Sequence, residues 1–127
     1  MKIEHVAFNV EKPVETAQWY IEYFGMSIAK KEEDPPYTHF LTDSSGDVMI
    51  EIYNNPADQV PDYRSMDPLL LHLAFVSEDP GKEKQRLLEA GATLVSDEVL
   101  PDGSHLVMLR DPWGLAIQLC KRANPML

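Results

Sequence analysis

Cysteine is almost missing from this 127-residue chain: Cys120 stands alone, so no intrachain disulfide can form, which fits a reducing compartment. Basic side chains are scarce as well, 11 against 21 acidic ones, for a formal net charge of −10. A field of that sign repels phosphate backbones and anionic lipid, which argues against nucleic acid and membrane partners. No apolar run approaches the roughly 18 residues of a membrane span. The first eight residues enter an alternating pattern at once, without the apolar core of a signal peptide. The expectation is a cytoplasmic protein. Its hydrophobic fraction, 44%, suffices for the core of one compact domain.

What the chain does contain is a near copy of itself. Residues 5–22 lie over 72–89 with identities at His5/His72, Ala7/Ala74, Phe8/Phe75, Glu11/Glu78, Pro13/Pro80, Gln18/Gln85 and Glu22/Glu89. Seven matches in 18 positions exceed the roughly one expected at average residue usage, so we read an internal duplication. The offset of 67 residues also relates Glu51 to Gln118. His39 and His105 follow at 66, after a one-residue slip shared by Gly25 and Gly91, which would give every histidine a repeat partner.

Each copy reads as βαβββ. Residues 2–10 are rich in β-branched and aromatic side chains, as a buried strand requires. Pro13 then opens a helical pattern with Val14, Ala17, Tyr20, Ile21 and Phe24 on one side, closed by Gly25. Strands are expected at 26–31, 37–42 and 47–53, and turn residues separate them. The second copy gives a strand at 70–76, a helix introduced by Asp79-Pro80 and ended by Gly91, and strands at 93–99, 104–110 and 115–121. The division is therefore a single domain over 1–127: module one 1–54, a proline-bearing linker 55–68, module two 69–122 and a short tail 123–127.

Side chains alternate along a strand, so His5 shares a face with Ile3 and Ala7, and His72 with Leu70 and Ala74. Glu51 shares one with Met49 and Tyr53, and Gln118 with Ala116 and Cys120. A half-buried imidazole or carboxylate in such company needs a partner. One divalent cation satisfies all four polar groups together. Two imidazoles, a carboxylate and an amide oxygen suit Zn²⁺, Ni²⁺, Co²⁺, Mn²⁺ or Fe²⁺ without selecting among them. A lone strand histidine is more often a hydrogen-bonded core residue, but two such pairs at one offset are hard to attribute to packing.

A duplicated βαβββ module with a first-strand histidine and a last-strand acid or amide resembles the vicinal oxygen chelate superfamily. That superfamily includes glyoxalase I, methylmalonyl-CoA epimerase, extradiol dioxygenases, fosfomycin-modifying enzymes and bleomycin-resistance binders. The closing "LRDPWGLAIQLCKR" is similar to its DPxG turn and ligand-bearing strand. The resemblance implies an α+β fold in which two tandem modules form a cupped mixed sheet around a central site. It further implies that His5, Glu51, His72 and Gln118 hold the metal, and that the protein is a homodimer whose site lies within one chain or is shared between two.

Gln118 departs from the glutamate of many members, and an amide cannot accept a proton at neutral pH. Glu51 is then the catalytic candidate. The expected activity is a metal-dependent lyase or isomerase acting on a substrate with adjacent oxygens, through an enediolate-type intermediate. The alternatives are a non-catalytic binder of the bleomycin-resistance type and a dioxygenase, the latter disfavoured by Gln118. For substrate contacts the candidates are His39, His105, Arg64 and Cys120, with Arg110 and Lys121 as further basic groups for an anionic tail.

Overall fold

The protein is described by a computed structural model covering residues 1–47 and 49–126. Val48, within the strand expected over 47–53, and Leu127 of the expected tail lie outside the described residues. The element order is β1 (His5–Asn9), α1 (Pro13–Phe24), β2 (Ser27–Lys31), β3 (His39–Thr42), β4 (Met49–Tyr53), β5 (Leu73–Val76), α2 (Pro80–Glu89), β6 (Thr93–Val99), β7 (His105–Arg110) and β8 (Ala116–Lys121). This is the α+β class, with two βαβββ modules as the repeat required. The chain divides into two compact units between Pro61 and Asp62, inside the linker. No described helix is long and apolar enough to cross a membrane.

In the first unit the strand order is β1-β4-β3-β2, with β1 parallel to β4 and the other pairs antiparallel. The register places Ala7 beside Glu51 and Phe40 beside Glu51 on the other side. Directly paired residues share a face, so His5, Ala7, Phe40, Met49 and Glu51 lie on one side of the sheet. Phe8, Leu41, Ile50 and Ile52 occupy the other side, all of them buried. Helix α1 packs there on β3 and β4, turning Ala17 and Tyr20 inward. Each fully buried Leu or Ile contributes about 1.5–3 kcal/mol. Along α1, Trp19 meets Tyr20, Tyr23 and Phe24 at ring-centroid distances of 5.2, 5.5 and 5.5 Å. Gly25, at φ +64°, ends the helix in the left-handed conformation.

The second unit repeats this topology as β5-β8-β7-β6. Ala74 pairs with Gln118 as Ala7 pairs with Glu51, so the duplication is reproduced in the strand register. Val107, Leu109, Ile117 and Leu119 are buried on the helix side, where Leu87 of α2 is completely enclosed. Asp79 caps α2 by accepting the Lys82 N–H at 3.0 Å. The turn between β7 and β8 is organised by Asp111, 1% exposed, whose Oδ1 accepts the N–H groups of Trp113 and Leu115 at 2.9 and 3.0 Å.

Two sequence expectations change. The strand expected over 70–76 begins only at Leu73, because Asp67 folds the preceding residues into a turn by accepting the Leu69 and Leu70 N–H groups. His39 and His105 are not repeat partners. His39 pairs with Ile52, whereas His105 pairs with Lys121, so the counterpart of His39 in the second unit is Val107. The connection between β3 and β4 is one residue longer than that between β7 and β8, which defeats a constant offset.

Candidate functional site

His5 and Glu51 come together on the side of the first sheet opposite α1. His5 Nε2 lies 3.3 Å from Glu51 Oε2, and its ring packs edge-on against Phe40 at 5.6 Å. Its Nδ1 is 2.8 Å from Glu4 Oε2. A carboxylate only accepts, so Nδ1 carries the proton, and in a neutral ring Nε2 presents its lone pair to Glu51. Two acceptors facing each other repel unless a proton or a cation lies between them. Donors about 2.05 Å from a tetrahedral ion stand roughly 3.3 Å apart. The spacing of the pair thus fits two positions of one coordination sphere.

His72 is built the same way in the second unit. Its Nδ1 donates to the carbonyl of Pro68 at 2.7 Å, leaving Nε2 as the lone-pair nitrogen of the neutral ring. Gln118 lies on the face that also holds Ala116 and Cys120. Its Oε1 accepts the Cys120 thiol at 3.1 Å, which leaves one of two amide lone pairs for another partner. Cys120 is buried, and burial pushes its thiol pKa up, so the thiol stays protonated near neutrality. Among the described residues no three His, Cys, Asp or Glu side chains are grouped as a metal site. The first unit brings His5 and Glu51 together, whereas His72 and Gln118 of the second are each held by a separate neighbour, Pro68 and Cys120.

The remaining candidates fall elsewhere. His39, 7% exposed, faces the helix side and donates Nδ1 to Tyr37 O at 2.7 Å. His105 is on the side of its sheet opposite Gln118, where Nε2 meets Asp97 Oδ1 at 2.7 Å. Lys84 grips the other oxygen of Asp97, and the hydrogen bonds from Lys84 and then His105 hold that carboxyl below its ordinary range. Arg64 donates to Pro112 O at 2.9 Å. Arg110, considered for an anionic substrate tail, instead donates to Tyr63 O, Gly114 O and Met66 O at 2.8, 3.0 and 2.7 Å. Neither these carbonyl contacts nor the Pro68 anchor of His72 had a sequence signal beyond the "LRDPWG" motif.

Beside β5 lies a mainly apolar cavity of about 630 Å³, lined in part by Ala74, Phe75, Val76, Cys120 and Met126. Its size is within the usual range for small-molecule pockets.

The family model described as Glyoxalase/Bleomycin resistance protein/Dioxygenase superfamily matches residues 2–119. No curated protein matches the chain. Among solved structures, SMU.1112c is 26% identical with a TM-score of 0.72, covering 95% of this chain and 98% of that one. Lactoylglutathione lyase from Agrobacterium tumefaciens is 19% identical, with a TM-score of 0.67 and coverage of 93% and 91%. TnmS3, an antibiotic binding protein from Streptomyces sp. CB03234, is 17% identical, with a TM-score of 0.71 and coverage of 94% of each chain.

Proposed function

The chain belongs to the Glyoxalase/Bleomycin resistance protein/Dioxygenase superfamily, and from that premise we propose that it is a metal-dependent lyase or isomerase of the glyoxalase type. His5, Glu51, His72 and Gln118 are the proposed ligands of one divalent ion. The observation that carries the reading is the facing of His5 Nε2 and Glu51 Oε2 at 3.3 Å, with Glu4 Oε2 at 2.8 Å from the other ring nitrogen. The fixed Nδ1–H form of His72 supports it. When bound, the ion supplies positive charge against the negative charge that develops on two adjacent substrate oxygens.

The chain's own groups divide the remaining work. Glu51, the sole carboxylate of the set, takes the proton from the carbon beside the carbonyl and returns it to the neighbouring carbon. Gln118 binds without exchanging protons, because its amide has no basic lone pair near neutral pH. The carbonyl of Pro68 holds the His72 ring in its ligating tautomer. The protein works as a homodimer in the cytoplasm. Val6, Leu69, Leu70 and Val76 are 45, 80, 78 and 90% exposed, apolar side chains that a second copy of the chain would cover.

Hemithioacetal turnover to a lactoylglutathione-type product, with Zn²⁺, Ni²⁺, Co²⁺, Mn²⁺ or Fe²⁺ supplied in turn, tests the reaction. Activity lost in Glu51→Gln and His72→Ala is expected. Failure of the metal-loaded protein on this and other substrates with adjacent oxygens would overturn the enzymatic reading. A second reading, a small-molecule binding protein without catalysis, is favoured by the apolar cavity beside β5. Saturable binding of an apolar ligand without turnover would then be the result.

A further inference from the structure

We infer that Arg110 is the positioning residue that sets His72 against Gln118. This rests on the reading of His72 and Gln118 as metal ligands. Arg110 is the last residue of β7 and pairs with Ala116, so it lies on the same side of the sheet as Gln118. Its planar guanidinium spans three backbone carbonyls: Gly114 O in the turn before Leu115, and Tyr63 O and Met66 O in the segment before His72. Charge-assisted bonds of this kind are stronger than neutral ones, and a fork geometry fixes direction as well as distance.

The restraint passes along the chain by short steps. Residues 62–66 form a turn closed by the Ser65 and Met66 N–H groups on Asp62 O and Tyr63 O. Asp67 follows immediately and holds the next turn through the Leu69 N–H on its side chain and the Leu70 N–H on its carbonyl. Pro68 sits in that second turn, and its carbonyl receives His72 Nδ1–H at 2.7 Å. Arg64 adds a bond to Pro112 O. Met66, clamped by Arg110, is thus only two residues from the carbonyl that selects the His72 tautomer. One end of the clamp is the sheet that carries Gln118, and the other is the segment that orients His72.

Lysine at this position keeps the charge and the stem but cannot fork across three carbonyls. The deciding experiment is ring-nitrogen NMR of ¹⁵N-histidine-labelled full chain, metal-free and at alkaline pH, comparing wild type with Arg110→Lys and Arg110→Met. In wild type, His72 is expected as the Nδ1–H form. In Arg110→Lys, the signals should move toward a mixture with Nε2–H, while those of His5, anchored by Glu4 in the other unit, stay fixed. Zn²⁺ affinity by calorimetry should fall about 10–100-fold, the usual cost of losing a group that orients a ligand. A folded Arg110→Lys protein with an unchanged His72 tautomer would overturn the proposal; should Arg110→Met not fold, the lysine variant decides alone. If wild type bound no metal, the ligand reading would fail, and the tautomer comparison would still decide the role of Arg110.

Discussion

Replacing Gly114 by alanine isolates the contact between the Asp111 turn and the segment before His72. Gly114 has φ +105°, a conformation that L side chains rarely adopt. A Cβ placed there would stand 2.8 Å from Arg64 Cβ, 2.8 Å from Arg64 N and 2.9 Å from Arg64 Cα. Ordinary carbon contacts are ~3.5–4.0 Å, so the neighbour must retreat by roughly 0.7 Å or more. Two of the three atoms are backbone, which no rotamer change can move. Retreat lengthens the bonds from Arg110 to Tyr63 O and Met66 O, now 2.8 and 2.7 Å. The left-handed backbone costs about 1–2 kcal/mol, and weakening one charge-assisted bond costs about 1.5–3 kcal/mol. Gly114→Ala should therefore lose ~2.5–5 kcal/mol in urea unfolding, a large part of a typical 5–15 kcal/mol stability. Gly103→Ala is the control, because Gly103 has φ +88° with nothing within 4 Å of its added Cβ. It should lose only about 1–2 kcal/mol from backbone strain. Equal losses in the two variants would refute the reasoning.

Leu87→Ala should destabilise by about 2–5 kcal/mol in the same assay, because Leu87 is completely enclosed and truncation leaves a cavity. Asp97→Asn should lower stability at neutral pH and flatten the acid limb of the stability profile. The Asp97 carboxyl is depressed below its ordinary 3.8 by Lys84 and then by His105. Its contribution is thus complete above pH 3.8 and disappears as pH falls through the lower folded value. An unchanged acid limb in Asp97→Asn would show that this network contributes nothing to folding.

The fold was legible because its signals were local and repeated. Pro13 and Gly25 bracket the first helix, Asp79 caps the second, and the offset between Glu51 and Gln118 survives as an identical register against Ala7 and Ala74. The nearness of His5 and Glu51 was expected from the repeat and the family resemblance, since alternation fixes which residues of one strand share a face but not which strands are neighbours. The His39–His105 equivalence failed because the one-residue-longer turn before β4 moves the offset on β3 to 107 − 39 = 68, two beyond the 66 at which His105 lies, and Val107 stands at the matching place. The work of Arg110 was invisible because backbone carbonyls have no sequence identity. Nothing at Tyr63 or Met66 announces that its carbonyl accepts a guanidinium. Likewise Pro68 anchors His72 through its main chain alone.

Calorimetric titration of the metal-free protein with first-row dications, alongside Glu51→Gln and His72→Ala, tests the metal reading most directly. The account predicts tight binding near one ion per chain, sharply weakened in both variants although they lie in different units of the chain. Absence of binding, or binding indifferent to His72→Ala, would contradict it and leave the two histidines as structural residues.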